Sequence, residues 1–198
     1  MTRLDKQKWD RRYYRGFDVD RSQPSEWLLQ CLNICGLARG ADLRALDVAC
    51  GAGRNALYLA ALGFTVDAVD ISTVALAQAV VAARERELSI NWLEADLDLP
   101  FRVPHSYNLI VMIRYLNLPL LDRLMDSLKP GGWLICEEYL QSAATAVGPR
   151  RAEYRVAPGV LAAACSRLRV HTEEEGTIRG SDGRTVAVAR VLAQRPLA

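Results

Sequence analysis

Apolar and polar positions fall into two alternating rhythms along most of this chain. Leu43 to Cys50 is a short apolar run with strand character, and Gly53 to Leu62 carries its apolar residues at helical spacing before Gly63. Phe64 to Asp70 is strand-like again, Ser72 to about Glu87 is an alanine-rich helix with Ser72 as its cap, and Ser89 to Glu94 is a further strand. Tyr107 to Ile113 is an apolar strand of the kind buried on both faces. Pro119 to Leu128 is a helix. Lys129-Pro130-Gly131-Gly132 is a sharp turn, and Trp133 to Leu140 is a strand. Strands that alternate with helices predict a parallel sheet covered on both sides.

The two ends depart from this alternation. Residues 3 to 15 predict a short charged helix carrying Trp9, Tyr13 and Tyr14 and stopped by Gly16. A second helix starts after Ser22-Gln23-Pro24-Ser25, runs from Glu26 to about Leu37 and stops between Gly36 and Gly40. At the other end, Val160 to Ser166 is a short helix. Leu168 to Ile178 and Thr185 to Ala193 are strand-like runs around Arg179-Gly180-Ser181-Asp182-Gly183-Arg184, and Asp-Gly in such a position signals a hairpin. The fold expected is α/β: a Rossmann-like, doubly wound, mainly parallel seven-stranded sheet with a C-terminal antiparallel hairpin and N-terminal capping helices. Residues 141–157 make a long loop of a length often tied to function.

Length and composition narrow the classes. At 198 residues with 51% hydrophobic content, one domain with a sizeable core is expected. It divides into cap helices (1–40), a cofactor-binding core (41–140), and a loop, helix and closing hairpin (141–198). The net charge of +2 gives no basic excess for a nucleic-acid partner. Arg3, Lys6, Lys8, Arg11, Arg12 and Arg15 form a solvated helix face. No apolar run reaches the roughly 18 residues of a membrane span, and the charged N-terminus lacks an apolar signal core, so the expected location is the cytoplasm. Cys31, Cys35, Cys50, Cys136 and Cys165 sit in apolar segments without metal-ligand spacing and read as buried thiols. No metal site is expected.

The chemistry-bearing feature is Leu46-Asp47-Val48-Ala49-Cys50-Gly51-Ala52-Gly53-Arg54-Asn55, a strand feeding a glycine loop that opens a helix. Such a loop admits a ligand against bare backbone and a helix N-terminus. Nineteen residues beyond Gly51 stands Asp70, at the offset of a carboxylate that accepts from ribose hydroxyls. Asp47 at the strand end repels a pyrophosphate and suits a cation, and Asp96, after the next strand, can accept from an exocyclic amino group. The ligand so described is an amino-acid-like cation joined to adenosine, which is S-adenosylmethionine, with S-adenosylhomocysteine as product.

On these residues the chain resembles the class I S-adenosylmethionine-dependent methyltransferases. Their pattern acid-x-Gly-x-Gly-x-Gly stands here as Asp47-Val48-Ala49-Cys50-Gly51-Ala52-Gly53, with Ala49 in place of the first glycine. The resemblance implies that Ala49, Cys50, Gly51 and Gly53 line the methionine portion, that Asp70 binds the ribose, that Ile71 packs on the adenine, and that Asp96 with the Leu97 amide reads its edge. Ile113 ends the fourth strand beside them. Leu128-Lys129-Pro130-Gly131-Gly132-Trp133-Leu134 is similar to the family's characteristic turn. Trp9-Asp10-Arg11-Arg12-Tyr13, the helix opening Gly53 to Ala60, and Arg114-Tyr115-Leu116-Asn117 are similar to the tellurite-resistance and thiopurine-type members, in which the N-terminal segment folds over the cofactor. That narrower resemblance implies a small-molecule acceptor of soft type, a thiol or a chalcogen oxyanion.

Methyl transfer requires alignment and desolvation above all, and a base only where the nucleophile arrives protonated. Arg114, Tyr115 and Glu137 are the candidates for this chemistry at the carboxyl ends of the fourth and fifth strands. Arg114 either orients an anionic acceptor or pairs with Glu137 or Glu138. Tyr13 and Tyr14 close the pocket or pack their own helix. Arg54 and Asn55 meet the cofactor carboxylate, the N-terminal cap or solvent. Asp47 braces the loop or reaches the cofactor through water. Three rivals stand beside this reading: a nucleic-acid or protein methyltransferase, a non-catalytic cofactor-binding module and a nicotinamide-dependent reductase. The first is disfavoured by Ile113-Arg114-Tyr115-Leu116 where base-amino enzymes often carry Asn/Asp-Pro-Pro-aromatic. The sequence leaves the oligomeric state open.

Overall fold

The computed structural model describes residues 3–16, 23–37, 42–101, 103–142, 148–149, 151–179, 183 and 185–197. Seven strands, β1 (Arg44–Val48), β2 (Thr65–Asp70), β3 (Asn91–Glu94), β4 (Tyr107–Ile113), β5 (Leu128–Tyr139), β6 (Arg169–Arg179) and β7 (Thr185–Gln194), form one sheet in the order β3-β2-β1-β4-β5-β7-β6. The first five are mutually parallel, while β7 runs antiparallel to β5 and to β6. The chain lays down β1, β2 and β3 in one direction and returns to place β4 on the other side of β1. The carboxyl ends of β1 and β4 thus flank a switch point, where open α/β sheets hold ligands.

Helices α1 (Arg3–Tyr14), α2 (Glu26–Cys35), α3 (Arg54–Ala61), α4 (Thr73–Glu85), α5 (Leu118–Asp126) and α6 (Val160–Ala164) pack around the sheet. Alternation along each strand sorts its side chains onto two faces. Leu109, Val111, Trp133 and Ile135 meet α2 and α3 on one face; Ile110, Met112, Leu134 and Cys136 meet α5 and α6 on the other. On the first face Trp27 is 2% exposed, and its indole N–H donates to the Cys136 carbonyl at 3.0 Å. All five cysteines are buried free thiols, as their apolar settings predict.

Predicted and observed elements agree closely, with two informative differences. Lys129-Pro130-Gly131-Gly132 is not a turn ahead of a strand but a bulge inside β5. Leu128 pairs with Tyr107 and Trp133 already pairs with Leu109, so three extra residues are extruded from the ladder. The bulge is held by the chain beyond β7, through Gly131 N–H to Arg195 O at 3.0 Å and Arg195 N–H to Gly132 O at 2.8 Å. Second, the long loop after β5 contains a 3-10 turn at Ala152–Tyr154 and a parallel bridge of Leu140 with Val156. Residues 143–147 and Arg150 of that loop, Gly180 to Asp182 and Arg184 of the hairpin turn, residues 38–41 after α2, and Ser22 before it lie outside the described residues.

Candidate active site

The loop between β1 and α3 is built from left-handed backbone, with φ of 55° at Ala49, 56° at Gly51 and 82° at Gly53. Ala49, the one residue that breaks the glycine pattern, adopts the conformation a glycine takes without strain. The two glycines are required by the protein's own aromatics. A Cβ on Gly51 would lie 2.3 Å from the Tyr13 hydroxyl, and one on Gly53 would lie 2.6 Å from the Trp92 ring. The bare backbone at Gly51 thus receives Tyr13 from α1, and that at Gly53 lets α3 seat against β3.

Two buried carboxylates hold this loop. Asp47 accepts from the Ala56 amide at 3.0 Å in the first turn of α3, which is the loop-bracing alternative. Burial raises its carboxyl to about 7 against that amide and the nearby Arg54 guanidinium. Asp70, at the end of β2, accepts from the Gly51 amide at 2.9 Å and the Ser72 amide at 2.8 Å. Burial raises it as well, opposed by those two amides and that of Ile71. Three amide donors leave about one of the four lone-pair positions of a carboxylate available. The Cys50 thiol is buried and pushed well up by burial. Asn55 faces the N-terminal cap: its Oδ1 accepts from the Ser25 amide at 2.9 Å and fixes the start of α2. The Ser25 side chain makes no capping bond.

Helix α1 lies over this edge. Asp10 accepts from the Ser72 hydroxyl at 2.7 Å and from the Val74 amide at 3.3 Å, joining the start of α4. Burial works against the Asp10 charge, but these donors and Lys6 outweigh it and hold the carboxyl below its usual range. Lys6 donates to the Ile71 carbonyl at 3.1 Å and pairs with Glu94 at 2.9 Å. Tyr13 is buried, whereas Tyr14, paired with it in the sequence reading, is 84% exposed and takes no part in this wall. Neighbours on a helix point about 100° apart, so one faces in while the other faces out.

The far side of the switch point is made of side chains. Arg114 sits at φ 63°, an uncommon conformation for a non-glycine residue. Its Nε donates to Glu137 at 2.8 Å, its guanidinium stacks 4.4 Å from the Tyr139 ring centroid, and Arg190 on β7 reaches the other Glu137 oxygen at 2.6 Å. The ion-pair alternative for Arg114 is therefore realised. Each oxygen of Glu137, the candidate base, is thus engaged by a guanidinium. Glu138 points to the opposite face, where its Oε1 accepts from the Tyr115 amide at 3.1 Å. Burial pushes its carboxyl well above the usual range, against that amide and Arg114. The Tyr115 hydroxyl is raised to about 12, chiefly by burial, and donates to Asp98 at 3.0 Å, which also accepts from Asn117 at 2.8 Å. Asp96 accepts from the Asp98 amide at 3.0 Å, and Leu97, Ile71 and Ile113 are each buried.

Sequence reasoning missed Arg190 and the roles of Lys6, Asp10 and Trp92. Arg190 did carry a signal, as the one charge within the otherwise apolar run Val186 to Ala193. Among the described residues, no helix is long and apolar enough to cross a membrane.

Residues 45–132 match the methyltransferase domain family. Over 100 residues the chain is 30% identical to a ubiquinone biosynthesis O-methyltransferase of Burkholderia orbicola, and 30% identical over 97 residues to that of Paraburkholderia phymatum. These alignments cover 48% and 46% of this chain and 43% and 42% of the relatives, so the chain spans less than half the length of the curated relatives it matches. Among solved structures, TehB from Haemophilus influenzae superposes with TM-score 0.72 at 18% identity, over 84% of this chain and 61% of that one. The N-methyltransferase NodS from Bradyrhizobium japonicum, in complex with S-adenosylhomocysteine, superposes with TM-score 0.64 at 21% identity, over 91% and 88%. Residues 45–132 thus match the methyltransferase domain family, on a fold that the chain shares with these solved structures.

Proposed function

We propose that this chain transfers the methyl group of S-adenosylmethionine to a small-molecule acceptor. The observation that carries the reading is the Asp70 carboxylate, tied to the Gly51 amide at 2.9 Å across a loop of left-handed residues. It is held in place by amides with acceptor capacity to spare for a ribose hydroxyl. The residues fit the cofactor in charge as well. Asp47 and Asp70 are both raised by burial, and a sulfonium with an ammonium beside them compensates that cost. When bound, the cofactor supplies an electrophilic methyl group and its own leaving group. Ile71 and Leu97 provide the apolar walls for an adenine, and Asp96 the acceptor for its amino group. Tyr13 closes the loop side and excludes water, and Arg54 lies at the helix start within reach of a carboxylate.

On the acceptor side, Arg114 and Tyr115 shape the pocket through Glu137 and Asp98. The names of the curated relatives speak for an oxygen acceptor, while the resemblance to the tellurite-resistance type speaks for a soft one. The cytoplasm is the compartment this cofactor implies.

Calorimetry with S-adenosylmethionine and S-adenosylhomocysteine tests the donor. Asp70→Ala is expected to cost about 1.5–3 kcal/mol of cofactor affinity, roughly 10- to 150-fold in Kd, the size of hydrogen bonds to a charged group. Unchanged affinity in a folded variant removes Asp70 from the ribose site. Formation of S-adenosylhomocysteine over a panel of small acceptors tests the transfer itself.

A further inference from the structure

Glu138 is the feature this account leaves unused. It stands at the carboxyl end of β5, next to the switch point, and is 1% exposed. Oε1 is fixed by the Tyr115 amide. Oε2 is shut off from water and has no hydrogen-bond partner among the described residues. Leaving a charged oxygen in that state costs about 1–3 kcal/mol or more, and such exceptions in folded proteins call for an explanation. Glu137, one residue earlier, has both oxygens answered by Arg114 and Arg190. The contrast places an unanswered, buried carboxylate oxygen on the face that carries Tyr115, whose hydroxyl feels the charges of Asp96, Asp70 and Glu138.

Resting on the methyl-transfer reading above, we propose that Glu138 is the catalytic base and that the acceptor therefore arrives with its proton, as a phenol or similarly acidic hydroxyl compound. The acceptor hydroxyl hydrogen-bonds to Oε2. Its oxygen forms the new bond to the methyl carbon while the carbon–sulfur bond breaks and that electron pair stays on sulfur. The hydroxyl proton passes to Oε2, converting carboxylate to carboxylic acid, and is lost to solvent when the acceptor site opens to release the product. A thiolate or a chalcogen oxyanion needs no such group.

The surroundings favour uptake of a proton. Burial lifts the Glu138 carboxyl well above its usual range, with Glu137 raising it further and the Tyr115 amide and Arg114 opposing. Among the described residues, the Tyr115 hydroxyl and the Cys136 thiol on its own strand also feel the Glu138 charge, and Cys136 is paired with Cys165 at the end of α6. Across β7, Arg190 is directed to Glu137.

The test uses the whole chain with saturating S-adenosylmethionine and a matched panel of phenols and thiophenols, 4-hydroxybenzoate and 4-mercaptobenzoate among them. In the native chain kcat on phenols rises with pH along a limb set by Glu138. Glu138→Gln is expected to lose about a hundredfold or more on phenols, together with that limb. The same variant retains thiophenol turnover within about fivefold and unchanged cofactor affinity by calorimetry, on the same principle that an ionised nucleophile needs no base. Glu138→Asp keeps a carboxylate and restores the limb at reduced kcat, which guards against a Gln variant that folds poorly. Phenol turnover by Glu138→Gln within threefold of native, or equal losses on both acceptor classes, overturns the assignment. A native chain that methylates thiophenols only, or that binds the cofactor and methylates neither class, also overturns it. A native chain that fails to bind the cofactor brings down the methyl-transfer reading instead.

Discussion

The two sides of the switch point solve the same problem in opposite ways. Around the β1–α3 loop, buried carboxylates are answered by backbone: Asp47 by the Ala56 amide, Asp70 by the amides of Gly51 and Ser72. Around the ends of β4 and β5 they are answered by side chains from distant elements, Glu137 by Arg114 and Arg190, with Glu138 only half answered. Backbone amides cannot be mutated away and come with the loop itself, so the first half is a preformed cradle. Side chains can be exchanged one at a time, so on the methyl-transfer reading proposed above the second half is where an acceptor preference can change.

The largest expected effect strikes the side-chain half. Glu137→Ala leaves Arg190, 6% exposed, with only the longer 3.6 Å contact to the half-exposed Glu174, and removing one partner of a buried pair costs about 3–5 kcal/mol. Denaturant unfolding measures it. A loss below about 1 kcal/mol, the size of an exposed ion pair, would show that this half is not held by the pair.

Next comes the pH dependence of the backbone half. The Asp47 carboxyl is raised to about 7 from 3.8, so the folded chain holds a proton that the unfolded chain releases. Its contribution favours the fold most below about 4, declines as pH rises, and levels off above about 7, a change on the order of 4 kcal/mol. Asp47→Asn is expected to flatten the thermal stability profile over that window. Some slope remains, because Asp70 and Glu138 are raised by burial in the same sense. An unchanged slope would mean that Asp47 is ionised in the fold.

The smallest effect concerns Ala49. At φ 55°, Ala49→Gly relieves a left-handed alanine and is expected to stabilise by up to about 1 kcal/mol, after the added freedom of the unfolded chain is subtracted. A melting temperature below that of the native chain would show that the methyl group has packing of its own.

The backbone half was also the legible one. Asp47, Gly51, Gly53 and Asp70 fall within 24 residues, and strand, loop, helix and cap each leave a local signature. The Ser72 cap was read directly and is observed accepting from the Ala75 amide at 3.2 Å. The other half is encoded in pairs that no local pattern links: Glu137 with Arg190 53 residues on, and Trp27 with Cys136 109 residues on. Glu137 was chosen over Glu138 because two adjacent acids at a strand end look alike until their partners are known. The Lys129 to Gly132 stretch has turn chemistry and does turn, but within a strand, because the sheet can extrude a loop that another segment then ties down.

The strand order has a consequence for how the molecule is assembled. Because β7 lies between β5 and β6, β6 has no strand beside it until β7 has been made. Chains emerge from the ribosome N-terminal end first, so the cradle of Asp47, Gly51 and Asp70 can form while Arg190 is still unsynthesised. Until then Glu137 has only Arg114, and the surface that β7 will cover on β5 stays open to any other strand. Translation thus delivers the backbone half early and the side-chain half late, and the interval between them is when a nascent molecule is most exposed to wrong pairing.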